Sequence, residues 1–114
     1  MTGEWDGRWR NQVGSAMDLR TVDGVLQGDY HTSVGRPDSA TAFPLVGVVN
    51  GDMIAFTVTF GEHGSVTAWA GRRTAEGRIE TLWHLVRNKD DSGAPLPTWC
   101  STLAGAAVFE RVTP

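Results

Sequence analysis

The chain has 114 residues, 40% hydrophobic and 20% charged, with 14 Gly, 5 Pro and 5 Trp. That length buries one sizeable core and not two, so a single domain over residues 1–114 is expected, and the apolar fraction is too high for a disordered chain. Ten Lys+Arg against thirteen Asp+Glu leave a net charge of −3 and no basic stripe, which argues against a nucleic-acid partner, and no apolar run approaches the roughly 18 residues of a membrane span.

Short runs rich in Val, Ile, Thr and aromatic residues recur along the chain, divided by turn residues and without helical periodicity. In chain order, strands are expected at residues 7–13, 15–21, 25–31, 43–49, 53–60, 65–71, 78–87 and 101–112. Asp23-Gly24, Asn50-Gly51, His63-Gly64 and Glu76-Gly77 separate them. Asn50-Gly51 is the strongest hairpin signal, because a tight turn needs positive φ at its central residues. Two separators are longer: 35–42 carries Pro37, and 88–98 carries Asp90, Asp91, Gly93, Pro95 and Pro97.

Alternation sorts the faces. If Trp9 and Val13 mark the inner side of the first strand, Asn11, Ser15, Tyr30 and Thr32 are aimed inward with them. Ile54, Phe56, Val58 and Phe60 share a face of the fifth strand; Ile79, Thr81, Trp83 and Leu85 of the seventh; Leu103, Gly105, Ala107 and Phe109 of the eighth. Eight short antiparallel strands joined by hairpins close into an up-and-down barrel, an all-β fold just wide enough for one small ligand. The outward sets of the last three strands are Val66 and Ala68; Leu82, His84 and Val86; Ala104, Ala106 and Val108. An apolar patch on neighbouring strands of a soluble barrel predicts self-association.

An amide, two hydroxyls and a phenol inside a small barrel each cost free energy if left unpaired. Two readings stay open: these groups pair with one another or with buried water, or they surround the oxygen of a polar ligand that carries extra negative charge. Catalytic and metal readings find less. His31, His63 and His84 lack ligand spacing, with His84 on an outward face and His63 in a turn. Asp90-Asp91 reads as solvated loop charge, and no phosphate-binding or nucleophile-elbow motif occurs. The single cysteine, Cys100, permits neither an intrachain disulfide framework nor a multi-cysteine metal site. The first residues carry neither a positive nor an apolar signal segment, which leaves a cytosolic protein or a secreted one already processed.

Gly7-Arg8-Trp9-Arg10-Asn11-Gln12-Val13-Gly14-Ser15 resembles the first-strand signature of the avidin family, Gly-x-Trp-x-Asn-Gln-x-Gly-Ser. Gly28-Asp29-Tyr30 with Val34-Gly35 is similar to its third strand and following loop. The sixth strand is matched by Ser65–Gly71, the seventh by Thr81-Leu82-Trp83-His84-Leu85, and the last by Trp99–Gly105. The match is collinear from Gly7 to Arg111.

The resemblance implies a biotin-binding protein without catalysis, cofactor or metal, secreted, and assembled as a homotetramer with a dimer as alternative. It implies that Asn11, Ser15 and Tyr30 donate to the ureido oxygen and that Thr32 accepts from a ureido N–H. Thr67 would face the thiophane sulfur, while Ser65 and the backbone at Arg36 would meet the valerate carboxylate. Phe60, Trp69 and Trp83 would wall the bicyclic ring, with Val34 and Leu85 in the same contact set, and Trp99 would cap the pocket of a neighbouring subunit. Plain core packing of the tryptophans is compatible with that role. Two positions depart from the family pattern. Phe60 stands where many members have tryptophan, and Ala107 stands where the family has Asp or Asn to accept the second ureido N–H. A buried donor left unpaired costs on the order of 1–3 kcal/mol, or roughly one to two decades in affinity. The alternatives are a lipocalin-like carrier of another small hydrophobic ligand and a barrel whose outer face binds protein. Trp5 and Cys100 receive no role.

Overall fold

Antiparallel pairing runs unbroken around the molecule. The computed structural model describes residues 4–33, 41–61, 64–90 and 92–112. Its strands are β1 (Gly7–Asn11), β2 (Ala16–Val22), β3 (Val25–His31), β4 (Phe43–Asn50), β5 (Met53–Thr59), β6 (Ser65–Arg73), β7 (Ile79–Arg87) and β8 (Thr102–Arg111), with a 3-10 turn at Thr98–Cys100. Each strand pairs with its chain neighbours and β1 returns to β8, closing the expected all-β up-and-down barrel. Every expected strand appears, displaced by at most two residues at either end. His63, Asp91 and the segment 34–40 lie outside the described residues.

The turns follow backbone chemistry. Asp23 and Gly24 both have positive φ (54° and 78°), which suits a two-residue hairpin between Val22 and Val25. The next hairpin corrects the sequence reading. Asn50 pairs with Met53 and stays in the ladder, so the loop residues are Gly51 and Asp52, and only Gly51 has positive φ (59°). One positive φ at the first central position requires glycine there alone.

The first strand is also shorter than its pattern suggests. Val13 is 56% exposed and does not mark the inner face. β1 ends at Asn11, whose Oδ1 accepts from the backbone N–H groups of Val13 (3.1 Å) and Ser15 (3.0 Å), and that turn breaks the two-residue period. Beyond Asn11 the β1–β8 seam is continued by a side chain. Gln12 Nε2 donates to the Ala106 carbonyl (3.1 Å) and its Oε1 accepts from the Val108 N–H (3.0 Å), so an amide takes the place of a missing peptide.

A barrel this small bends its strands tightly, and inward glycines permit it. A Cβ on Gly28, Gly47 or Gly71 would fall 1.9, 2.1 or 1.9 Å from a carbonyl oxygen of the adjacent strand. Between them the interior is filled by Trp9, Met17, Leu19, Leu26, Leu45, Ile54, Phe56, Val58, Ile79 and Phe109, all buried.

The two ends differ. At the end holding the β2–β3, β4–β5 and β6–β7 turns, Trp5 is buried and its carbonyl accepts from Trp9 Nε1 (2.9 Å). The Arg111 guanidinium lies 4.3 Å from the Trp9 ring centre and donates to the carbonyls of Asp6 and Glu4; Arg73 lies 5.2 Å from the Trp5 ring centre and pairs with Glu4 and Asp52. Residues 4–6 are thereby drawn across this end as a plug, which is the role of Trp5. The opposite end, with the β1–β2, β3–β4, β5–β6 and β7–β8 connections, holds the polar inward residues.

Candidate ligand-binding site

Strands β1, β3 and β6, with Ser15 just before β2 and Thr32 just after β3, deliver the polar groups to that second end. Ser15, Tyr30, Thr32 and Thr67 are buried, while Asn11 is half-buried. Because the Asn11 carbonyl oxygen is held by the turn, its NH₂ group is the end left to donate toward Tyr30. Burial pushes the Tyr30 phenol above its ordinary value near 10, and hydrogen bonding toward Ser15 and Asn11 draws it part of the way back. The three expected donors therefore converge. The phenol remains a protonated donor across the neutral range.

That direction of shift has a consequence for stability. The folded chain holds the Tyr30 proton more tightly than the unfolded chain, so this contribution is constant below about pH 10 and is lost as pH climbs toward the raised folded value. Melting temperature should decline above pH 10, and Tyr30→Phe should remove that part of the decline in thermal melts. The chain has one tyrosine and, at Lys89, one lysine, so few other groups titrate there.

An aromatic wall stands around these donors. The Tyr30 ring centre is 5.0 Å from Trp69 at 39° and 6.2 Å from Phe60, edge to face. Phe60 packs on Phe43 at 4.9 Å, and Trp69 stacks on Phe56 at 4.9 Å and 15°. Trp83, half-buried, lies over β8 where Gly105 leaves room: a Cβ there would sit 2.5 Å from Trp83 Cζ2. Ala107 is buried on the inner face of β8 beside Thr81, whose hydroxyl donates to the Ala107 carbonyl (2.8 Å). Ser65 and Leu85 are half-buried at the rim of the same end.

Not every expected residue joins this set. Trp99 stands in the 3-10 turn at 87% exposure, outside the buried wall of the site. Val34 and Arg36 lie outside the described residues. Two residues at this end were missed by sequence reasoning. Phe43 begins β4 on the inner face, a place its alternation with Leu45 would have marked. Ser33 follows the end of β3, where no alternation operates; its hydroxyl donates to the Val13 carbonyl (2.6 Å) and its N–H to Ser15 Oγ (2.9 Å).

Among the described residues no three His, Cys, Asp or Glu side chains gather as a metal site. His31 stands 3.8 Å from Asp18, which the Arg8 guanidinium holds below the usual carboxylate range, and His84 is exposed on the outer face. Asp90 is a loop cap, accepting from the N–H groups of Ser92 and Ala94. Cys100 is a free, half-buried thiol in the 3-10 turn.

A closed eight-stranded barrel with convergent donors at one end, an aromatic wall and a plugged opposite end is a small-ligand-binding barrel. The model of the avidin family matches residues 2–112, and the chain belongs to that family. Avidin-related protein 4/5 of Gallus gallus is 29% identical over 117 aligned residues, covering 93% of this chain and 76% of the relative. Afifavidin of Afifella pfennigii is 36% identical over 94 residues, 75% of this chain and 59% of the relative. The crystal structure of the rhizavidin–biotin complex superposes with a TM-score of 0.79 at 28% identity, over 96% of this chain and 92% of that one. These likenesses lend no support to the lipocalin-like alternative.

Proposed function

We propose that this chain is a non-catalytic protein that binds biotin as its ligand at the open end of the barrel. The observation that carries the reading is the convergence of Asn11, Ser15 and Tyr30 beneath an aromatic wall. Three donors on one acceptor suit a ureido oxygen, whose two flanking nitrogens push negative charge onto it, and a dry site strengthens such bonds. Thr32 then accepts from a ureido N–H and Thr67 faces the ring sulfur. Ser65, with the backbone at Arg36, meets the valerate carboxylate. Phe60, Trp69 and Trp83 hold the bicyclic ring by area and stacking, and Val34 and Leu85 complete the contacts. Ala107 leaves the second ureido N–H without the acceptor found elsewhere in the family, so affinity is lower than a carboxylate there would give. Titration calorimetry with tryptophan emission followed in parallel tests the reading. Heat release and quenching are expected at saturating biotin; no heat and an unchanged spectrum would overturn it.

The same reading makes the protein a homotetramer, with a dimer as the alternative, and extracellular. Its support is the outer surface. Val46 and Val48 on β4, Val66 on β6, and Leu82 and Val86 on β7 are exposed, and Leu82 reaches 68%. A concavity of about 670 Å³ lies among Val46, Val48, Ala55, Ala68 and Leu82. That face and the exposed Trp99 both gain from a second barrel. Light scattering at micromolar concentration should give four or two chains per particle; a monomer would contradict the assembly and the capping role of Trp99.

A further inference from the structure

One hydroxyl at the open end has no part in the roles above. Ser33 Oγ donates to the Val13 carbonyl at 2.6 Å, and a carbonyl cannot return a proton, so that bond uses the only proton Ser33 Oγ has. The 3.1 Å contact between Ser15 Oγ and Ser33 Oγ therefore has Ser15 as donor. In return the Ser33 backbone N–H donates to Ser15 Oγ at 2.9 Å. The Ser15 proton therefore has two competing acceptors, Ser33 Oγ and the Tyr30 phenol oxygen at the point it shares with Asn11.

We infer that Ser33 is a positioning residue that sets the direction in which Ser15 donates, so that a ligand oxygen must win the Ser15 proton from Ser33 Oγ. The inference rests on the biotin reading for its binding arm. When the ligand oxygen takes the proton, Ser15 Oγ keeps the Ser33 N–H as a donor and stays in place; only the hydroxyl turns. The competition is worth about one neutral hydrogen bond, which corresponds to roughly three- to tenfold in affinity. A ligand oxygen with little excess negative charge gains less from turning Ser15, so the pair favours a strongly polarised acceptor.

The test is a double-mutant cycle read two ways. Ser33→Ala should tighten biotin binding roughly three- to tenfold in calorimetry, with the same substitution silent in a Ser15→Ala background and Ser33→Thr, which keeps the hydroxyl, close to the parent. Unchanged or weaker binding, or an equal effect in both backgrounds, would mean that Ser33 only braces the turn at Val13 and would overturn the inference. The second readout needs no ligand. Tyr30 is the sole tyrosine, so ultraviolet absorbance follows its ionisation alone. Freeing the Ser15 proton to solvate the phenolate should lower that midpoint by up to about one pH unit in Ser33→Ala and leave it unmoved when Ser15 is also alanine. If no variant binds biotin, the biotin reading fails, and the Tyr30 midpoint alone decides Ser33: a Ser15-dependent fall supports its role, and no fall overturns it.

Discussion

Ala107→Asp should slow biotin release by roughly ten- to a hundredfold, the equivalent of about 1–3 kcal/mol returned to an unpaired buried donor. Residue 107 is 3% exposed on the inner face of β8, between half-buried Gly105 and buried Phe109, so a longer side chain there enters the cavity. The neighbouring Thr81 hydroxyl does not supply the missing acceptor, because it donates to the Ala107 carbonyl across the β7–β8 pair. An aspartate would accept the ureido N–H as a charge-assisted bond at a position buried from solvent. Without ligand the same carboxylate has no cationic partner among the described inward neighbours Gly105, Phe109 and Thr81. Its pKa rises by desolvation and the empty protein melts lower. The two effects therefore have opposite signs, slower release from the complex and a less stable empty barrel, and stopped-flow release alongside thermal melts reads both. An unchanged off-rate would mean that residue 107 does not face the ureido group.

Trp69→Ala should lower the melting temperature by on the order of 10–20 °C, from a loss of about 3–5 kcal/mol for emptying a large aromatic site. Trp69 is buried in the middle of β6, stacked on Phe56 and tilted against Tyr30. Removing it takes a wall from the site and the packing that holds the Tyr30 ring upright. Biotin affinity should fall with it, by roughly thirtyfold or more if the indole acts as a buried anchor of about 2 kcal/mol. Trp69→Phe keeps part of the stack and should recover part of both losses. Circular-dichroism melts with calorimetry separate the effects. A variant that melts normally would show that the indole does not fill the core.

Much of this architecture was legible in residue order. Two-residue alternation marks Ile54, Phe56 and Val58 on β5, and Ile79 and Thr81 on β7, as inward, because side chains in a strand must alternate faces whatever surrounds them. Register follows, since slipping one residue would turn every apolar side chain to water. The converging Asn11, Ser15 and Tyr30 were legible too, as polar residues in otherwise apolar inward positions. Where alternation stops, residue order no longer sets the direction of a side chain. Val13 lies past the end of β1, where the Asn11 side chain captures the backbone and turns it outward, and the hairpin after Asn50 is centred one residue later than Asn-Gly suggests.

By itself the sequence determined what local stereochemistry and periodicity control: eight strands, their inner faces, the turns that join them, and the polar set in the first three strands. Tertiary structure alone decided what depends on residues distant in the chain. Gln12 completes the ladder only because β8 lies beside it, 94 residues away at Ala106. Trp5 plugs one end because Arg73 and Arg111 are carried there by β6 and β8. Trp83 lies flat because Gly105 faces it across a strand pair, and Ser33 turns the Ser15 proton because closing the β2–β3 ladder brings them within 3.1 Å. The physical reason is common to all four. Periodicity fixes the direction of a side chain relative to its own strand, whereas hydrogen-bond partners and packing clearances belong to pairs of segments that meet only when the barrel closes.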